Sequence, residues 1–311
     1  MASIIKCPSC TADELRCIGE IPPSYFFAGH ALGSPLSGGS LYECLTSHLF
    51  FRFPRPSPKD LNALYASGSA ENWPSPMGSR TDWRLIRDWI RTKKGIRHIL
   101  DVGCYDGRLL ESIGQGFLLY GVEIHEDAAR RATSRGVEII GSDFADLSDL
   151  GPIADLTIAS DVIEHSADPK QFIAALASTV RPGGYILITT GNTDAMSWRL
   201  MGSRYWYCFI AEHISFINPG WVKHIAPQLA LELEHLSPFS HSDSSRALRA
   251  RIYEFTTNLL LRFAPAFFAF LRRRGFGGVN LQTYPELDLS PPGWITARDH
   301  MLLVFRKAST P

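Results

Sequence analysis

From residue 96 onward, short apolar runs alternate with stretches whose apolar residues recur every three or four positions. The runs predict strands at His98–Val102, Leu118–Ile124, Val137–Ile140, Leu156–Ser160 and Tyr185–Thr190. Helical spacing predicts helices at Arg108–Ile113, Glu126–Arg135 and Pro169–Val180, the last closed by Arg181-Pro-Gly-Gly184. Apolar strands separated by helices imply a parallel sheet with helices on both faces. Two later runs, Leu229–Leu236 and Met301–Phe305, predict final strands of the same sheet. Upstream, the stretch Arg80–Thr92 sets Trp83, Ile86, Trp89 and Ile90 on one helical face that leads into the first strand.

This pattern divides the 311 residues into unequal parts. Residues 1–58 form a distinct N-terminal segment, and 59–79 a linker with one short helix at Asp60–Ala66. Pro54, Pro56, Pro58, Pro74 and Pro76 punctuate that connection. The α/β domain takes 80–240 and returns at 299–311, with a helical insertion at 241–298. Such an insertion is far longer than an ordinary connection. Its centre, 249–274, mixes aromatic residues with flanking arginines, and Arg262 and Pro265 interrupt an apolar part too short to span a bilayer. It reads as a lid, a homodimer contact, a grip on an apolar substrate, or an element lying on a membrane surface.

Charge changes the picture by exclusion. Lys+Arg and Asp+Glu number 31 each, and the zero balance advertises no nucleic-acid partner. No basic-then-apolar leader is expected from Met1-Ala-Ser-Ile-Ile-Lys-Cys7. Six cysteines in a chain of this length do not suggest a disulfide framework, so a reducing, cytoplasmic setting follows, with peripheral membrane contact through 249–274 as its variant. In the head, Cys7-Pro-Ser-Cys10 and the later pair Cys44 and His48 have the layout of a zinc ribbon. Four such ligands replace a core that the segment is too short to build. Ser47 stands where a second CxxC would have its cysteine, and Cys17 and His30 are further candidates. The alternative is a metal-free knuckle held by Tyr42, Phe50, Phe51 and Phe53.

The chemistry concentrates at Ile99–Leu110, a strand that feeds a helix through Gly103 and Gly107. Such a turn presents backbone N–H groups to a ligand, and Asp101 lies at the strand end where open α/β sheets bind. Glu123 ends the next strand, 22 residues later, and can accept from both hydroxyls of a ribose. Asp143 beside Phe144 suits an adenine amino group and its ring, and Asp161 ends the fourth strand. Each acid alone is more simply a helix cap. Four in order argue for one nucleoside-like ligand. A dinucleotide dehydrogenase needs Gly-x-Gly-x-x-Gly, whereas Gly103-Cys-Tyr-Asp-Gly107 has an acid before its first glycine and Asp106 facing the phosphates.

The run resembles the class I S-adenosylmethionine-dependent methyltransferases, close to the ubiquinone-biosynthesis O-methyltransferases. The matching pieces are Leu100–Gly107, Tyr120–Ile124, Ser160–His165, Asp168-Pro169, Leu176–Thr190 and Glu212–Phe216. The resemblance implies a Rossmann-like α/β fold with a seven-stranded sheet, here with a zinc-ribbon-like head and a helical insertion before the last strand. It implies that Asp101, Gly103 and Gly107 meet the methionine end of S-adenosyl-L-methionine, Glu123 the ribose, Asp143 and Phe144 the adenine, and that Asp161 and Val162 border the sulfonium. Tyr105 departs from the family's glycine at that place and makes the turn bulkier. Candidate general bases are His213, which follows the aromatic stretch Tyr205–Tyr207, and His165; each is preceded by a glutamate. Oxygen is the expected acceptor atom, on a small molecule, glycan or lipid-linked hydroxyl, with carbon or nitrogen behind it. Arg204 and its aromatic neighbours suit a large, partly apolar or anionic acceptor such as a lipid-linked sugar, a polyketide or a quinone precursor. A non-catalytic cofactor-binding protein and an NAD-dependent oxidoreductase are the remaining readings.

Overall fold

The computed structural model describes residues 5–28, 30–55, 80–240, 248–278, 281 and 285–309. The helix expected at Asp60–Ala66, with the whole 59–79 linker, lies outside the described residues. Seven strands form the main sheet: β6 (His98–Val102), β7 (Leu118–Val122), β8 (Glu138–Gly141), β9 (Ala154–Ser160), β10 (Val180–Gly191), β12 (Leu231–Phe239) and β13 (His300–Lys307). Their order is β12-β13-β10-β9-β6-β7-β8. The five central and outer strands from β6 to β10 pair in parallel, and β13 runs antiparallel to both β10 and β12. The strand pattern read from sequence is therefore present, with ends moved by a few residues. The largest shift is at Arg181-Pro-Gly-Gly184, where β10 begins at Val180 and passes through the glycines with a register shift before Tyr185.

The chain builds β6, β7 and β8 outward in one direction, then crosses back to place β9 and β10 on the other side of β6. That reversal opens a crevice beyond the carboxyl ends of β6 and β9, the position where open α/β sheets take ligands. Apolar faces of the helices close the sheet. In the helix Pro169–Thr179, Asp168 caps the first turn by accepting from the amides of Lys170 (3.1 Å) and Gln171 (3.0 Å), and Phe172, Ile173 and Leu176 are buried against the sheet. The helix Thr81–Arg91 buries Ile86, Trp89 and Ile90 as its spacing requires, but also Asp82, which no apolar period predicts.

The head is antiparallel. Strands β1 (Leu15–Glu20), β4 (Ser40–Cys44) and β5 (Phe50–Phe53) form one sheet with β11 (Ser215–Phe216), a two-residue strand that follows the fifth parallel strand of the main sheet. A separate hairpin joins β2 (Ser24–Phe27) to β3 (His30–Leu36). Head and main domain are thus stitched by backbone pairing of Ser215 with Phe51 and of Phe216 with Phe50. The insertion contributes two helices, Leu248–Phe263 and Pro265–Arg273, separated at Pro265 as expected for a residue that cannot donate to the preceding turn.

Candidate active site

Asp101, Glu123, Asp143 and Asp161 all lie at the carboxyl edge of the parallel strands, on β6 or one to two residues past β7, β8 and β9. Asp101 is buried, and its carboxyl pKa is pushed up to about 8 by burial first and by the charge of Glu123 second, against the pull of Arg80. Glu123 is raised in the same sense, mainly by burial. Its two oxygens accept from the amides of Tyr105 (2.8 Å) and His125 (2.9 Å), which fixes both loops that border it. Each oxygen keeps a second lone pair for a hydroxyl donor.

The turn after β6 depends on left-handed backbone. Gly103 has φ 77° and a Cβ there would come within 2.8 Å of Val162 Cγ2; Gly107 has φ 78° and a Cβ would meet Ala132 Cα at 2.9 Å. Tyr105 stands between them at φ 48°, a conformation that costs an L-residue roughly 1–2 kcal/mol. Tyr105 thus takes a left-handed backbone of the kind glycine adopts without strain. The hydrogen bond that its backbone N–H donates to the Glu123 carboxylate offsets part of the strain, and its ring meets Arg131 at 5.7 Å. Asp106 does not face the ligand crevice as its position suggested: it is buried and pairs with Arg108 Nε at 2.8 Å. The reason is local, because Asp106 also accepts from the Arg108 amide (3.4 Å) at the start of the next helix.

Asp143 and Phe144 remain exposed beside β8. Asp143 caps a short turn by accepting from Ala145 N (3.0 Å), and the Phe144 ring stands edge-on to Phe172 at 5.0 Å. Asp161 has φ 54° and forms an ion pair with Arg80, which also holds Asp82 (Nε to Oδ1, 3.0 Å). Asp82 in turn accepts from Ser160 Oγ at 3.1 Å. Sequence reasoning missed Arg80 and Asp82. The only signal was an acid at the start of an amphipathic helix, which reads as an ordinary N-terminal charge. Four carboxyl groups (Asp82, Asp101, Glu123 and Asp161) against one described guanidinium leave an acidic crevice. Such a crevice favours a ligand with positive charge and opposes a pyrophosphate. A sulfonium nucleoside with an amino-acid tail fits the residues: acids for its cations, a Cβ-free turn for close approach, Glu123 for diol hydroxyls, and the Asp143–Phe144 platform for a base.

His165 and His213 come together. Their rings are edge-on at 5.0 Å, and with Glu164 their ligand atoms lie within 4.8 Å of one another. His213 Nδ1 lies 3.1 Å from the Tyr207 carbonyl, so that nitrogen carries the proton and Nε2 is the basic one. Burial holds His165 down to about 4 and drives His213 well below its ordinary value, so both rings are neutral at neutral pH. Glu164 accepts from Thr190 Oγ1 (2.9 Å) and from the Tyr207 hydroxyl, and its pKa is raised to about 7 by burial and by Asp161. The aromatic stretch anticipated as a pocket wall is mostly core: Tyr205 and Tyr207 pack with Trp198 and Phe216. Arg52 of β5, buried and unforeseen, supports this loop by donating to the carbonyls of Ala211 (3.1 Å), Ile210 (3.1 Å) and Cys208.

In the head, the ligand atoms of Cys7, Cys10 and Cys44 converge within 4.8 Å. Cys10 Sγ and Cys44 Sγ are 3.6 Å apart, close to the roughly 3.8 Å that a tetrahedral Zn–S length of about 2.3 Å implies. The predicted fourth ligand, His48, is not in the group. The tight turn from Cys44, closed by His48 N donating to the Cys44 carbonyl (2.9 Å), sends Ser47 inward and the next residue outward. His48 is exposed beside Gly220, with φ 63°. Ser47 takes the inner place, its Oγ 3.4 Å from Cys7 Sγ. Cys17 is exposed on β1, outside the cluster. Three thiols and a hydroxyl fit zinc with one weak corner.

A methyltransferase-domain family model matches residues 58–236. The chain is 26% identical over 178 residues to the ubiquinone biosynthesis O-methyltransferase of Thiobacillus denitrificans, a match spanning 52% of this chain and 76% of that protein. It is 23% identical over 217 residues to the protein of the same name from Cupriavidus pinatubonensis, across 62% of this chain and 85% of that one. Among solved structures it is similar to the (4+2)-cyclase SpnF, with a TM-score of 0.50 at 15% identity over 82% of this chain and 98% of that chain. This last likeness concerns the fold.

Proposed function

We propose that this chain, which belongs to the methyltransferase-domain family and is an S-adenosylmethionine-dependent methyltransferase, methylates a hydroxyl oxygen on a small-molecule, glycan or lipid-linked acceptor. When bound, the cofactor supplies an electrophilic methyl group on a sulfonium. Asp101 and the Gly103–Gly107 turn would hold its amino-acid end, beside Arg80, which pairs with Asp82 and Asp161. Glu123 takes the ribose, Asp143 and Phe144 the adenine, and Asp161 with Val162 border the sulfur. His213 Nε2 accepts the proton of the acceptor hydroxyl, which leaves the oxygen free to act as nucleophile toward that methyl group. Its neutrality at neutral pH leaves that lone pair available, and His165 and Tyr207 fix the ring. The supporting observation is the row of carboxylates across the strand switch point. The oxygen preference rests on the names of the curated relatives.

In the head, Cys7, Cys10 and Cys44 hold a structural zinc, with Ser47 or a water at the fourth corner. The test of the main reading is calorimetric binding of S-adenosylmethionine, followed by transfer of its labelled methyl group across a panel of hydroxylated acceptors. Binding of NAD without S-adenosylmethionine binding would overturn it. Cofactor binding with no transfer to any oxygen, but transfer to amines or carbon acids, would move the acceptor to nitrogen or carbon.

A further inference from the structure

The helix Leu248–Phe263 is inside out. Its buried positions are Glu254, Thr257, Asn258 and Leu261, whereas Leu248, Ile252, Phe255 and Phe263 face outward, at spacings of four, three and eight residues. Leu248 is 71% and Phe263 70% exposed. The following helix extends the same exposed surface with Phe267 and Phe270. The polar interior is satisfied rather than misplaced. Glu254 accepts from Thr296 N (3.0 Å) and Thr296 Oγ1 (2.6 Å), and Asn258 Nδ2 donates to the Glu254 carbonyl (2.8 Å). A surface helix in water turns its apolar stripe inward, so an outward stripe means an apolar phase on the outside.

Charge identifies that phase. Residues 248–274 hold six arginines and a single glutamate; Arg272 and Glu254 are buried and Arg273 pairs with Asp288, so Arg249, Arg251, Arg262 and Arg274 remain as an exposed positive surplus in a chain whose total charge is zero. Arg274 lies over the Phe270 ring at 4.2 Å and Arg262 over Phe263 at 5.7 Å, so cationic heads and aromatic bodies share one surface. Two copies meeting face to face through this patch would oppose two such surpluses. An anionic bilayer complements both the charge and the rings. Among the described residues no helix is long and apolar enough to cross a membrane.

We infer that the Leu248–Arg273 helical pair docks this protein flat on anionic phospholipid bilayers, with Phe263 and Phe267 entering the headgroup region. Docking stands on the hairpin alone. That it brings the site to a lipid-borne acceptor rests on the methyl-transfer reading, and Leu261 and Phe268 do pack in the same core as Trp198, Tyr205 and Tyr207.

The test is flotation of the full chain with vesicles of phosphatidylglycerol and phosphatidylcholine in equal parts, and with phosphatidylcholine alone. The expected result is recovery with the anionic vesicles and at least about tenfold weaker partition to the neutral ones. The pairs Phe263→Ser with Phe267→Ser, and Arg249→Glu with Arg251→Glu, each lower partition by about tenfold or more at unchanged thermal midpoint. Wild-type protein left at the bottom of both gradients, or both variants floating like wild type, overturns the inference. So does a dimer mass in light scattering that Phe263→Ser with Phe267→Ser abolishes, since it assigns the face to a second copy. Cofactor calorimetry on the same samples separates the two readings: protein that binds cofactor but fails to float refutes docking alone, and the reverse refutes the methyl-transfer reading alone.

Discussion

Cofactor binding should release a proton from Asp101. With its pKa at about 8, this carboxyl is about nine-tenths protonated at pH 7 in the free protein. The unfolded chain would ionise the same group near its ordinary value of 3.8, so the free fold holds a proton that the unfolded chain lacks between those values. Stability of the free protein from this group is present at low pH and falls as pH rises from about 4 to about 8. A cation placed against the carboxylate reverses that preference. Ionising Asp101 at pH 7 then costs the binding reaction about 1.4 kcal/mol, about tenfold in affinity. Calorimetric titration at pH 7 in buffers of different ionisation enthalpy measures the release directly. Close to one proton per cofactor is expected from wild type, and a clear fall from Asp101→Asn, with Glu123 left as the remaining source. Release near zero in wild type, or equal release from both proteins, would refute the placement of a cofactor cation against Asp101.

Glu123→Gln replaces one acceptor oxygen with a donor that opposes the amide of Tyr105 or His125, and it weakens the bond offered to a ribose hydroxyl. Cofactor affinity should fall by about 2 kcal/mol, roughly thirtyfold, read by the same calorimetry; an unchanged Kd would remove Glu123 from the site. His213→Ala should lower turnover at saturating cofactor by about a hundredfold with cofactor Kd unchanged, and near wild-type turnover would take the base role from His213. Both histidines titrate below their ordinary value, so the fold loses their contribution as pH falls, for His165 between about 6.5 and about 4, and the rate profile has no histidine limb between pH 6 and 7. Arg52→Met strands three loop carbonyls and should cost at least about 3 kcal/mol in urea unfolding, whereas a loss under about 1 kcal/mol would show that the head does not support the loop. Elemental analysis should find one zinc per chain, and Ser47→Cys should slow its loss to a chelator; absence of zinc from both proteins would leave the head metal-free.

The strands were legible because a parallel sheet buried on both faces writes itself as continuous apolar runs, and the acids at their ends were legible because topology places every such end on one edge. What escaped detection depended on contacts between distant segments. Asp82 starts its helix like an ordinary surface acid, and what makes it internal is the distant Ser160 together with Arg80, which Asp161 anchors from 81 residues away. Ser215–Phe216 is too short to announce a strand, and it becomes one because Phe50 and Phe51 offer an edge. The choice between Ser47 and His48 was a matter of which way one turn rotates. The aromatic segment Tyr205–Tyr207 was visible as a cluster, but aromatic residues serve cores as readily as pockets, and sequence spacing cannot separate those uses.

These distant contacts also tie the head to the loop that carries His213. Arg52 sits on β5, which pairs with β11, and the loop it holds leads directly to His213. Phe27 and Ala28 pack on Ala211 and Ile214, and the Ala28 amide donates to Glu212 at 3.2 Å. Cys44 ends β4, which is paired to β5, and Trp221 Nε1 donates to Ser9 between the first two cysteines at 3.0 Å. A metal bound by Cys7, Cys10 and Cys44 would therefore stiffen the strands that carry Arg52, and through Arg52 the segment that aims the proposed base. The cluster needs no place in the crevice to affect turnover. On this account, loss of zinc lowers kcat through the His213 loop while cofactor affinity, set by the carboxyl edge of the main sheet, stays the same.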